Sequence, residues 1–84
     1  MSTDIDWAAA RARSYDVRPA RGTIVRTTHD TYKGGDVPAG TSIRTVTIDN
    51  AGFRGIELHG VAIDGPRAGD YIVGLSTGLV EVVS

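Results

Sequence analysis

The chain is expected to fold as a small, mainly β domain: five short antiparallel strands closing into a barrel or a strongly curled sheet, preceded by one short helix. Three observations lead to that class. Apolar residues recur at helical spacing only over residues 4–14. Beyond that point β-branched runs alternate with clusters of Gly, Pro, Asp and Asn at hairpin-like intervals. The length of 84 residues leaves room for one domain and no more.

A chain this short buries only roughly 60–65% of its unfolded surface on folding, so its core must be small. There is no cysteine, so neither disulfides nor thiolate metal sites can supplement that core. The segment Met1–Asp6 lacks the basic and apolar runs of a secretory signal, and no stretch approaches the ~18 apolar residues of a membrane span. The expectation is a cytoplasmic protein without a membrane partner. The formal net charge of −1 is unevenly placed. Residues 1–26 hold five arginines against three aspartates (+2), and residues 27–84 hold four basic against seven acidic groups (−3). That asymmetry permits a local basic patch without a general attraction to nucleic acid. Eight of the nine basic residues are arginine, which suits a high-GC bacterial or phage genome.

Residues 1–21 read as a helix and its linker, and 22–84 as the β domain. The helix should span 4–14, capped by Thr3 or Asp4, with Arg11 and Arg13 in its last turn as the helix dipole prefers. Ile5, Ala8 or Ala9, Ala12 and Tyr15 could form a narrow apolar stripe. Trp7 has two readings: it docks the helix onto the β domain, or it stands exposed with Arg11 and Tyr15 as an anchor for a partner. Pro19 ends helical structure in the linker.

The first strand is expected at Gly22–His29. A long loop, Asp30–Gly40, leads to a second run, Thr41–Asp49, where Ile43 has one parity and Val46 and Ile48 the other. Such a switch signals a bulge or bend. The third strand, Ile56–Ile63, shows a similar change from Ile56 and Leu58 to Val61 and Ile63, which points to a kink or bulge at Gly60. Asp70–Leu75 forms the fourth strand, Ser76–Gly78 a tight reversal, and Leu79–Val83 the last strand.

The sequence Gly35-Asp36-Val37-Pro38-Ala39-Gly40-Thr41, followed by a β-branched strand, by Tyr71-Ile72-Val73 and by Leu79-Val80-Glu81-Val82-Val83, resembles SH3-like small barrels over residues 22–83. It departs from their usual pattern after the loop, where Ile43 and Arg44 follow Ser42. The resemblance implies a five-stranded SH3-like antiparallel barrel with the helix as an addition. Because that fold hosts many unrelated activities, function must be argued from a site.

Several chemistries fit poorly. Gly74-Leu75-Ser76-Thr77-Gly78 matches the nucleophile elbow of hydrolases, yet only six residues follow Gly78 and none is histidine. The Gly35–Ser42 loop lacks a lysine before Thr41, and Pro38 removes a donor that a phosphate cradle needs. His29 and His59 have no carboxylate at metal-ligand spacing, and Asp64 and Asp70 suit turn and strand-end positions.

The chain is therefore expected to be a non-enzymatic protein-interaction module without cofactor or metal. A phage or mobile-element accessory protein that modulates a host protein would have these features. Its contacts would come from Trp7, Arg11, Tyr15, Tyr32, Lys33 and Val37, and open sheet edges could pair with a partner or a second copy. The alternative is an RNA- or DNA-binding barrel that uses Arg11, Arg13, Arg18, Arg21 and Arg26 with aromatic side chains for stacking.

Overall fold

The computed structural model describes residues 5–31, 36–52 and 55–83. Helix α1 spans Trp7–Ser14 and starts later than its composition suggests. Its cap is Asp6, which sits in extended backbone and accepts the Ala9 N–H on Oδ1 at 3.1 Å. Thr3 and Asp4 lie outside the described residues. Eight residues are too few for an isolated helix, so docking must hold it.

Docking uses the smallest side chains present. Ala10 and Ser14 are the buried residues of α1, and they face a 3-10 turn at Thr77–Leu79 that stands where a tight reversal was expected. Gly78 permits the approach, since a Cβ there would collide with the Ala10 carbonyl and lie 2.8 Å from Ala10 Cα. Ser14 Oγ accepts the Ile56 N–H at 2.9 Å, and Thr77 Oγ1 donates to the Ser14 carbonyl at 3.0 Å. Of the expected stripe of Ile5, Ala8 or Ala9, Ala12 and Tyr15, the alanines are exposed instead, and Ile5 and Tyr15 are only partly covered.

The strands are β1 (Ile24–Thr27), β2 (Ser42–Asn50), β3 (Ile56–Ala62), β4 (Tyr71–Ser76) and β5 (Val80–Val82). They form one antiparallel sheet in the order β4-β3-β2-β1-β5. Five antiparallel strands and one short helix agree with the sequence. The sheet is open, however, with β4 and β5 as its edges.

The parity switch in β2 is a bulge: Thr45 pairs with Gly60 and Thr47 with His59, leaving Val46 as the extra residue. The switch expected within β3 does not occur. Ile56, Leu58, Gly60 and Ala62 all keep the buried face, while Val61 is only partly covered and Ile63 is exposed. The expected kink or bulge at Gly60 falls on its neighbours, whose ladders with β3 both shift register at this glycine, and Gly60 itself serves close packing, because a Cβ there would collide with the Arg44 carbonyl on β2. The second of these shifts lies on β4, where Leu58 pairs with Leu75 and Gly60 with Ile72. Gly74 takes the extra position with φ +71, and its N–H is satisfied by His59 Nδ1 at 3.0 Å.

The core joins Val25, Val37, Ile43, Leu58, Ile72 and Val80, with Val17 and Ile48 at its margin. The loop between β1 and β2 reaches this core through Val37, which is held by a bridge to Thr31 with backbone bonds of 2.8 and 3.3 Å. The Pro38 carbonyl accepts from Thr27 Oγ1 at 2.7 Å and from Thr41 Oγ1 at 2.6 Å, and Gly40 closes the loop at φ +89. Among the described residues no helix is long and apolar enough to cross a membrane.

Candidate interaction surface

Trp7, Arg11 and Tyr15 are spaced by four along α1 and its C-cap, which places them on one flank of the helix. Trp7 is 57% exposed, so it does not dock the helix; Ala10 and Ser14 do that. The Arg11 guanidinium carbon lies 5.6 Å from the centroid of the Tyr15 ring, within cation–π range. Tyr15 is oriented by its hydroxyl, which donates to the Gly52 carbonyl at 3.4 Å, and Arg18 Nε donates to the Tyr15 carbonyl at 3.2 Å. The result is an aromatic and cationic stripe with a half-covered, pre-oriented tyrosine at one end and an open indole at the other.

Of the remaining expected contact residues, Tyr32 and Lys33 lie outside the described residues. Val37 must be corrected: it has 0% exposure and belongs to the core, because the Thr31–Val37 bridge turns its side chain inward. A partner cannot reach it in this fold.

The arginines sit in different surroundings. Arg13 faces the 3-10 turn, where Nη1 donates to the carbonyls of Gly78 at 3.0 Å and Val80 at 2.6 Å. It neutralises carbonyl oxygens at the end of that turn. Arg21 is exposed in the turn before β1, and Arg26 stands on the outer face of β1 opposite Ser42 and Glu81. Beside Arg13, a cleft of about 210 Å³ opens between α1 and the 3-10 turn, with Ala9, Leu79 and His29 among its walls.

The polar side chains that resemble catalytic groups have structural partners. Ser76 Oγ accepts the Gly78 N–H at 3.2 Å and caps the 3-10 turn. His59 lies 2.9 Å from Asp49 through Nε2 and accepts from Gly74 through Nδ1, so neither ring nitrogen is open to activate a nucleophile. Asp64 Oδ1 accepts the Ser42 N–H at 2.7 Å, and Asp70 pairs with Arg67 at 2.7 Å. Among the described residues there is no group of three or more His, Cys, Asp or Glu able to hold a metal.

Sequence reasoning missed Ser14 and Thr77 as the residues that fix α1, because a buried serine in a helix has no periodic signature. Gly78, in a stretch otherwise rich in strand formers, was the clue to a close approach. Comparisons with family models, with curated proteins and with solved structures found no match for the chain.

Proposed function

We propose that the chain is a non-catalytic protein-interaction module built on an SH3-like barrel framework, with the outer flank of α1 as its contact surface. The order of its parts supports the framework: the Asp36–Thr41 segment lies between β1 and β2, Tyr71-Ile72-Val73 lies in β4, and Val80–Val82 forms the last strand. One observation carries the function. The helix packs through alanine, serine and glycine while its largest residue, Trp7, points to solvent beside the Arg11–Tyr15 pair. Tryptophan, tyrosine and arginine are the side chains that dominate binding hot spots.

The test is capture from lysate of the source cell or its host, with nuclease present, using the wild type and Trp7→Ala in parallel. A single protein retained after nuclease should bind Trp7→Ala about 30-fold more weakly, the equivalent of about 2 kcal/mol. Because Trp7 is exposed, the melting temperature of the variant should match the wild type. Equal capture by both proteins would sink the proposal.

A second reading, nucleic-acid binding, is favoured by the stacking of Arg11 on Tyr15 and by the exposure of Arg18, Arg21 and Arg26. It predicts affinity that falls steeply with salt and weakens with Arg11→Ala and Arg21→Ala. The net charge of −1 weighs against it.

A further inference from the structure

The strand registers place four residues in one line across the sheet. Ile24 on β1 stands opposite Arg44 on β2, Arg44 opposite Val61 on β3, and Val61 opposite Tyr71 on β4. Residues directly opposite in a ladder share a face. The neighbours of this line in sequence, Val25, Ile43, Ala62 and Ile72, are all core residues, so the line lies on the outer face of the sheet.

The end of that face around this line is apolar, while its far end carries Thr47, Asp49, Glu57 and His59. Tyr71 is 48% exposed and Val73, two residues along the same strand, 47%. Ile63, just past the end of β3, is also exposed. Apolar side chains grouped on one surface mark an interaction site more often than isolated ones do. In their midst stands Arg44, exposed and without a carboxylate of any described residue at ion-pair distance. Arg26 is a diagonal neighbour through Ser42. It too forms no ion pair with a described residue, although Glu81 is opposite it in register.

The geometry points to this outer sheet face as a second docking surface, whose occupant is an apolar segment of another protein that carries carboxylates. The apolar line receives aliphatic side chains, and the carboxylates meet Arg44, which pairs with no described carboxylate, while Arg26, diagonal to it, faces Glu81. Aliphatic Ile24, Val61, Ile63 and Val73 outnumber the single aromatic, Tyr71. A base-stacking surface would need the opposite balance, which favours protein over single-stranded nucleic acid.

The inference rests on the interaction-module reading for the class of partner, but its surface is separate from Trp7. The probe is a displayed library of random dodecapeptides selected against the immobilised full chain. Enriched peptides should combine aliphatic residues with Asp or Glu. Binding should weaken about 30-fold on Arg44→Glu and on Tyr71→Ser, while Trp7→Ala leaves it unchanged. Both sheet variants remove outward side chains, and melts at the wild-type temperature would show that they fold. Failure of the helix-stripe proposal would appear only in the Trp7→Ala capture experiment.

Four results would overturn the inference: no enrichment, enriched peptides without acids, peptides lost on Trp7→Ala, or an oligothymidylate that binds the face in their place. Light scattering adds a fifth. A dimer of the wild type that Arg44→Glu dissociates would assign the face to a second copy instead.

Discussion

Gly78→Ala tests the way the helix is held. Gly78 is not among the glycines with positive φ, so alanine meets no backbone obstacle there. The obstacle is steric: the new Cβ would occupy the space of the Ala10 carbonyl and lie 2.8 Å from Ala10 Cα, both of them backbone atoms that cannot rotate away. Relief requires α1 to lift from the 3-10 turn. Lifting it strains the Ser14–Ile56 and Thr77–Ser14 bonds, worth about 1 kcal/mol each, and the charge-assisted contacts of Arg13, worth about 1.5–3 kcal/mol. Because these contacts are strained rather than broken outright, the expected loss is about 3 kcal/mol, below their full worth, against a total of about 4–12 kcal/mol for a domain of this length. At about 4–8 °C per kcal/mol, the melting temperature should fall by about 12–24 °C.

Thermal unfolding followed by far-ultraviolet circular dichroism measures the fall, and amide exchange at Ala10 to Ser14 reports release of the helix. Gly40→Ala is the matched control. Gly40 has φ +89, and a Cβ added to it would meet nothing within 4 Å, so alanine there should cost only backbone strain, about 1–2 kcal/mol. If Gly78→Ala melts within about 2 °C of the wild type, or costs less than Gly40→Ala, steric closure of the helix on Gly78 is not what positions α1.

Two further outcomes follow from the placement of single side chains. Val37→Ala should destabilise the domain by about 2 kcal/mol in denaturant unfolding and leave partner affinity unchanged once folded, because the side chain is core. The Gly74 N–H that points at His59 Nδ1 requires that nitrogen to be an acceptor, so the neutral ring should carry its proton on Nε2, facing Asp49. Long-range ¹⁵N spectra read the tautomer directly, and His59→Ala should cost about 1–2 kcal/mol by leaving the bulge amide without its partner. A ring protonated on Nδ1 instead would contradict the hydrogen bond.

Local signals were sufficient for much of the framework. The change from helical to extended periodicity after Pro19 placed one helix before five strands, and the shift of apolar parity between Ile43 and Val46 marked the β2 bulge, because a one-residue insertion leaves its trace in the alternation of that strand alone. The same logic misled at β3. Gly60 has no side chain to show which way it faces, so Val61 and Ile63 looked like the continuation of the inner face when they lie on the outer one.

The mainly β class with five antiparallel strands and one short helix, and the lack of any cysteine-based chemistry, were legible in the chain before it folded, whereas closure of the sheet into a barrel was expected and the sheet is open. Which side of each element is inside was settled only by packing. Trp7 had the size of a core residue and Val37 the loop position of a contact residue, yet their burial is reversed. The helix can approach the 3-10 turn only through Ala10 and Ser14 against Gly78, which turns the indole outward, and the Thr31–Val37 bridge folds the loop side chain in. The first outcome depends on contacts between residues tens of positions apart, and the second on a core assembled from several strands; no local pattern records either.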